Sequence, residues 1–475
     1  MSAGSGLASV NHIVVLMLEN RSFDHMLGFL YTGQGNTSPA GQPFDGLTGT
    51  ESNPDSSGAP VTVSRIEPAT PDAYFMPGAD PGEGYMATNS QLFGSDAGPA
   101  TSSAAAGCQG FVQDFGYTLG WQSRSSGWPI LPGTVASDIM ACFTPEALPV
   151  LSALARSYAV CDRWFASVPT ETLPNRAFAC AATSQGHMDD KTHTFTSPSI
   201  FGLLGRGGAG WAIYGYDAEP LTKSTFTDIA SAAGGTIGEF PDFQAAAAGG
   251  ALPAFTFLEP SWGSTGNSQH PNYDVALGEQ LIHDVYEAVR GGPGWPQTLL
   301  IVTYDEHGGC YDHVPPPSGA VPPDTTTGEF GFDFTRFGVR VPAVLISPLI
   351  EAGTVLRAPA ASTPIDHTSI LKTVQQRWGL PSLTARDAAA PGLGGVLTLT
   401  VPRSDDALSG VTVPVSTGAN PAAALPSHLQ EVQAELICRQ YPAGRHRAAD
   451  ALARQDSGAA YANYIRDHGA LEAQS

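Results

Sequence analysis

"HIVVLMLENRSFDH" occupies residues 12–25. Its first seven residues form an unbroken β-branched and aliphatic run, which suits a strand buried on both faces in the middle of a parallel sheet. The run then stops on Glu19 and Asn20, with Arg21, Ser22 and Asp24 close behind. Polar residues mark the exit of many strands, and a solvated turn would explain them. In open α/β sheets, however, ligands bind outside the carboxyl ends of the strands. Oxygen side chains at such an end are placed to hold a cation or a phosphate.

Outward from this strand the chain alternates strand-like and helix-like segments, the pattern of an α/β fold with a mostly parallel sheet. Further strand candidates are 211–216 ("WAIYGY"), 254–259 ("AFTFLE"), 298–306 ("TLLIVTYDE") and 341–350 ("VPAVLISPLI"). The spacing predicts helices over 274–292, with Leu277, Leu281, Val285 and Val289 on one face, and over 366–380, with Ile370, Leu371, Val374 and Trp378 on one face. Residues 31–135 are rich in Gly, Pro, Ser, Thr and Asn but carry aromatics that need burial. They read as an ordered excursion that walls a site. The main domain is expected over 10–394. A small cap over 395–475 should hold a β-like piece ("GVLTLTVP") and a helical region over 427–470.

Composition narrows the function. The 475 residues carry 44 acidic and 22 basic side chains, a formal charge of −22. Such a surface repels nucleic acid and anionic membranes, but not a neutral or zwitterionic substrate. No apolar run approaches the ~20 residues of a membrane-spanning helix. No basic-then-apolar leader precedes the first strand, so a signal peptide is expected to be absent or already removed, and the compartment stays open. The six cysteines form no C-x-x-C pair and read as core residues, or as one or two bridges.

Three more stretches concentrate chemistry. In "SVPTETLPNRAFACAATSQG" (167–186), Thr172 opens a small-residue helix. A Thr there is a natural N-cap, yet the same place gathers free N–H groups that favour a phosphate, and a metal ion could activate the hydroxyl as a nucleophile. In "LLIVTYDEHGGCYDHVPPP" (299–317), a strand again ends on acids, Asp305 and Glu306, followed by His307 and two glycines. Adjacent carboxylates repel unless a cation neutralises them. In "NSQHPNYDVALGEQ" (267–280), His270 lies in a polar loop before Asp274, a helix cap or a ligand. Asp366-His367 offers a weaker pair of the same kind. One arrangement joins these pieces. Glu19, Asn20, Asp305 and Glu306 bind one divalent metal ion with the Thr172 hydroxyl, and His270 and His307 bind phosphoryl oxygens or move protons. All-oxygen ligation favours Ca, Mg or Mn over Zn.

"ENRSFDH", "PTETLPNR", "HPNYDVALGE", "TYDEHGGCYDHVPPP" and "DHTSIL" stand in the order found in the bacterial and plant phosphoesterase family, which includes non-specific phospholipases C and acid phosphatases. The resemblance spans roughly residues 10–380. It implies an alkaline-phosphatase-like α/β sandwich and a covalent phosphothreonine on Thr172. It also implies a metal on Glu19, Asn20, Asp305 and Glu306, with His270 and His307 in the active site. Members of this family are often secreted or periplasmic. The resulting expectation is a phospholipase C acting on a glycerophospholipid such as phosphatidylcholine, with at most transient membrane-surface contact. The alternatives are a broad acid phosphatase on small phosphate esters, and a non-catalytic binding protein on a degenerate fold. Tyr117, Trp121, Trp128 and Trp262 are candidates for a choline-binding aromatic cage.

Overall fold

The computed structural model describes residues 6–94, 105–125, 128–423 and 425–440. The opening run forms β1 (His12–Leu18). It lies inside an eight-stranded sheet with β2 (Ala159–Val160), β3 (Trp211–Gly215), β4 (Gly235–Glu239), β5 (Phe255–Leu258), β6 (Thr298–Tyr304), β7 (Ala343–Ile346) and β8 (Thr354–Val355). The order across the sheet is β8-β2-β7-β6-β1-β5-β3-β4. All pairings are parallel except those of β7, which runs antiparallel to both neighbours. Helices cover both faces, so β6 is buried along its whole length and β1 everywhere but its first residue. That double burial is why both strands read as uninterrupted apolar runs. The α/β class and the mostly parallel sheet are as the sequence predicts.

The register decides what the strand ends do. Leu18 on β1 pairs with Tyr304 on β6. The residues that follow, Glu19-Asn20 and Asp305-Glu306, therefore leave the sheet side by side.

The helix predicted over 274–292 spans Val275–Gly291, and Asp274 is its cap, accepting from the Ala276 N–H at 3.0 Å. Its buried stripe includes Leu281, Ile282, Val285, Tyr286 and Val289. Leu277 is exposed instead, because Val275 and Ala276 take the core contact in the first turn. The helix predicted over 366–380 spans Thr368–Trp378. "GVLTLTVP" does not form a strand: a short 3-10 turn covers Gly394–Val396, and Leu397 makes a single bridge to Ile350. Of the helical region predicted over 427–470, His428–Gln440 is a helix, and residues 441–470 lie outside the described residues. The excursion holds two helices, Tyr85–Phe93 and Phe111–Gln122, that its composition concealed. No disulfide joins the cysteines among the described residues, and Cys108, Cys142, Cys161, Cys180 and Cys310 are buried thiols.

Candidate active site

The two strand ends are laced together. The Asn20 N–H and the Glu306 N–H both donate to Asp305 Oδ1, at 3.0 and 2.8 Å. Asn20 is left-handed, with φ 54°, a conformation that Asn tolerates better than most residues. Gly308, at φ +58°, completes the opposing turn, and a Cβ there would stand 2.1 Å from the Asn20 carbonyl oxygen. The "HGG" following the acids is thus a steric requirement of the close approach. Arg176 donates from Nε to Asp305 Oδ2 at 2.9 Å and from NH2 to the Met17 and Leu18 carbonyls at 3.0 Å. Arg21 donates to the carbonyls of Met76, Gln269 and His270, tying the end of β1 to the His270 loop.

Thr172 is the first residue of the helix Thr172–Ala181. Its hydroxyl donates to Asn20 Oδ1 at 3.0 Å, which brings the predicted nucleophile onto the β1 strand end. Two sequence expectations change here. Thr172 is not the N-cap, a position that Glu171 fills in an extended conformation. Nor are the helix-end N–H groups all free: the Leu173 N–H donates to Asp190 Oδ1 at 2.6 Å, and Pro174 has none. Asn175 turns away from the strand ends, donating to the Val168, Thr170 and Glu171 carbonyls and so holding the loop before Thr172 in place.

A cavity of about 480 Å³ opens over Thr172 and Glu19. Its walls come from the excursion (Asp80, Glu83, Trp128, Pro129), from Glu171 and Asp190, from the His270–Tyr273 loop, and from residues 422–431, including His428. The Asn20 side-chain amide donates to Glu83 Oε2 at 2.5 Å, and the Asp190 N–H donates to Glu171 Oε2 at 2.6 Å. Burial pushes these acids up, and proximity to each other adds to it. Glu19 is raised to about 8 by burial and by Asp305. Glu171 is raised to about 8 by burial and by Asp190. Asp80 and Asp190 are raised to about 7, chiefly by burial. Glu83 and Glu306 stand well above the ordinary carboxylate range for the same reasons.

Sequence reading missed Asp80, Glu83, Glu171, Asp190, Arg176 and His428. Glu171 and Arg176 lie within the quoted "PTETLPNR". Asp80, Glu83 and Asp190 sit in loops and His428 opens the helix His428–Gln440, and their return to the strand ends is a long-range event that nothing in their local pattern announces.

The two predicted histidines differ. His270 lines the cavity. Its Nδ1–H donates to the Pro271 carbonyl at 2.9 Å, so Nε2 carries the lone pair. Nε2 lies 3.9 Å from Glu83 and 4.0 Å from Asp80. Burial lowers His270 to about 4, which keeps it neutral at neutral pH. His307 does not line the cavity. The Gly308-Gly309 turn folds it back, fully buried, against Gln91 Oε1 at 2.7 Å and Glu306 Oε2 at 3.1 Å. It supports Glu306 rather than reaching a substrate. His367 likewise donates to the Asp305 carbonyl at 2.6 Å and accepts from Trp164 Nε1, while Asp366 pairs with Arg386. Of the four aromatics, Trp128 lines the cavity, Tyr117 and Trp121 are exposed outside it, and Trp262 is packed under the Arg176 guanidinium.

The residues present fit a bound cation. Glu19, Glu83, Glu171, Asp190 and Glu306 pair with no Lys or Arg among the described residues. Glu306 Oε1 is buried without a hydrogen-bond partner, an orphan that a hard cation would satisfy. Among the described residues, Asp80, Glu83 and His270 also bring three ligand atoms within 4.8 Å of one another.

Known proteins resemble this chain along most of its length. The profile of the phosphoesterase family matches residues 10–381. Non-specific phospholipase C6 of Arabidopsis thaliana is 37% identical over 423 residues, covering 83% of this chain and 74% of its own. Phospholipase C B of Mycobacterium tuberculosis is 28% identical over 443 residues, covering 83% of this chain and 79% of its own. Among solved structures, an alkaline phosphatase superfamily protein from Vibrio parahaemolyticus is similar over 51% of this chain and 64% of its own, at 14% identity and a TM-score of 0.32.

Proposed function

The chain belongs to the phosphoesterase family and is a phosphoric-ester hydrolase, and from that premise we propose a phospholipase C that cuts glycerophospholipids such as phosphatidylcholine through a phosphothreonine on Thr172. The observation that carries the reading is the Thr172 hydroxyl, held by Asn20 under an acid-lined cavity of about 480 Å³. Asp80, Glu83 and Glu171 stand beside Trp128 and Tyr273, a combination of charge and aromatic faces that suits a quaternary ammonium headgroup.

In the first step Thr172 Oγ attacks phosphorus and the bond to the glycerol oxygen breaks. The Thr172 proton leaves and the departing oxygen gains one, giving diacylglycerol and a Thr172-bound headgroup phosphodiester. In the second step water attacks phosphorus, releases phosphocholine and restores the hydroxyl. We assign the movement of these protons to His270, which is neutral and lines the cavity. Asn20 orients the nucleophile through its hydrogen bond, and Asp305 fixes Asn20. One hard cation, Ca, Mg or Mn in preference to Zn, would be held by Glu19, Asn20, Asp305 and Glu306 with the Thr172 oxygen, and Glu83 joins this set through Asn20. Such a cation lowers a hydroxyl pKa and polarises a phosphoryl oxygen.

The test is product analysis on phosphatidylcholine, phosphatidylethanolamine and para-nitrophenyl phosphate. Diacylglycerol with phosphocholine from the first is expected, lost after chelation and restored by one of the three cations. Phosphate from para-nitrophenyl phosphate with no diacylglycerol from either lipid would make the protein an acid phosphatase. Acid quench and peptide mapping should place the label on Thr172. A label on Thr170 or on a histidine would overturn the mechanism.

A further inference from the structure

Several large apolar side chains are exposed on and around the two helices that follow the cavity-wall residue Glu83. Tyr117, Trp121, Trp128, Met86 and Phe330 are between 41% and 73% exposed. They form a connected rim. Trp128 lines the cavity and meets Trp121 edge to face at 5.2 Å. Tyr117 is one helical turn before Trp121 on the helix Phe111–Gln122. That helix packs on the helix Tyr85–Phe93, which carries Met86 and begins two residues after Glu83 of the cavity wall. Phe330 stacks on Tyr85 at 5.4 Å.

We propose that this rim is a docking surface for a zwitterionic lipid bilayer, an inference that rests on the phospholipase C reading. The argument is one of continuity and charge. A glycerophospholipid's scissile bond lies at the depth of its headgroup, so the cavity mouth has to meet the lipid–water interface. Trp128 stands at this mouth, with Trp121 and Tyr117 leading away from it and Met86 and Phe330 on or against the neighbouring helix. Amphipathic rings settle at that depth, and apolar side chains penetrate just below it. The formal charge of −22 opposes approach to anionic lipid and leaves the zwitterionic surface as the matching partner. Acyl chains would stay in the bilayer while the headgroup enters between Trp128 and Tyr273.

The full chain is compared with a Tyr117→Ser/Trp121→Ser variant, whose sites are outside the cavity. The control is Val401→Ser/Val415→Ser, which removes exposed apolar side chains elsewhere. Three readouts are taken: sedimentation with phosphatidylcholine vesicles, hydrolysis of those vesicles, and hydrolysis of a short-chain phosphatidylcholine kept monomeric. The rim variant should bind vesicles about tenfold more weakly or worse, as expected for losing two interfacial aromatics. Its vesicle-to-monomer rate ratio should fall with the binding, and its monomer rate should hold. Trp121→Phe should recover most of the binding, and the control should match the parent. Unchanged vesicle binding in the rim variant would overturn the proposal. So would an equal fall in both rates, or a parent that sediments only as a dimer the rim variant dissolves. If the parent binds vesicles through the rim yet releases no diacylglycerol from either lipid form, the phospholipase C reading fails and the docking surface stands.

Discussion

Two buried clusters of acids lie side by side in this fold, and they are built from the same two segments. "ENRSFDH" gives Glu19 and Asn20 to one and Asp24 to the other, and "DEHGGCYDH" gives Asp305 and Glu306 to one and Asp312 and His313 to the other. In the second cluster every charge is answered. Arg340 donates to Asp24 and to Asp312, each at 2.9 Å, His313 meets Asp24 at 2.6 Å, and Arg357 and Arg163 hold Asp162 and Asp45. In the first cluster only Asp305 has an arginine, and Glu19, Glu83, Glu171, Asp190 and Glu306 face one another. A count of acids does not separate the two clusters. The presence of a built-in cation does: the answered cluster has its counter-ions within the fold, and the unanswered one is where we propose a cation from outside.

The largest effect belongs to the unanswered cluster. Thr172→Ala should cut turnover about 1,000-fold or more, because no neighbouring hydroxyl replaces the nucleophile. Stability should change little, since one buried hydrogen bond to Asn20 is worth only ~1 kcal/mol. Thr172→Ser should keep a measurable fraction. Steady-state rates with thermal melts on the same samples check this. An active Thr172→Ala would remove the reason for treating this cluster as the site.

Arg340→Met inverts the pattern. It leaves Asp312 buried without its arginine and Asp24 with His313 alone, a loss of ~3–5 kcal/mol. Turnover per folded molecule should be retained, and urea unfolding with active-site titration separates the two quantities. A variant that stays stable but loses turnover would show that the answered cluster takes part in the reaction.

This contrast also marks where the sequence is legible. β1 and β6 are read correctly because burial on both faces leaves no polar interruption. Their polar ends stand out because Glu19-Asn20 and Asp305-Glu306 each follow a core strand directly. β2 and β8 are two residues long, and β4 ("GTIGE") has almost no apolar signal, so none of the three shows in a local pattern. The reversal of β7 is a matter of connection, not of composition. Glu83 and Asp190 reach the site through loops, His428 reaches it at the start of a helix far along the chain, and His307 is turned away from the cavity by two glycines. Sequence places a residue type at a strand end, but which way a following side chain turns is fixed by packing.

A smaller effect comes from His313. Burial alone would lower it, but its hydrogen bonds to Asp24 and Asp45 outweigh that and raise it from 6.5 to about 10. The folded value lies above the unfolded one. Its contribution is therefore fully present below about pH 6.5, declines as pH rises, and is gone above about pH 10. The side chain is partly exposed, so screening keeps the loss to ~2 kcal/mol. Denaturation midpoints across that window should fall with pH in the parent and flatten in His313→Gln. A parent with no slope there would mean that the network does not hold its proton.

The smallest effect has the opposite sign, and it tests the contrast most directly. Glu83 is buried, and it faces Asp80, Glu306, Asp190 and Glu171. Its one good contact is the hydrogen bond accepted from the Asn20 amide. Glu83→Gln keeps an oxygen for that bond and removes the charge. In chelated protein the substitution should stabilise by ~1 kcal/mol, because a carboxyl that burial and its acidic neighbours force to take up a proton on folding becomes an amide that is neutral in both states. Once Ca, Mg or Mn is added the order should reverse, since the parent gains more from binding than the variant, which offers the cation one charge less. Paired melts with chelator and with each cation would show the curves crossing. In the answered cluster the same kind of change, Asp312→Asn, should destabilise under both conditions, because Arg340 loses one of its two carboxylate partners whether or not a cation is present. If Glu83→Gln behaved like Asp312→Asn, the acids around Thr172 would be held by the fold and not by a ligand, and the cation assignment would fall with that result.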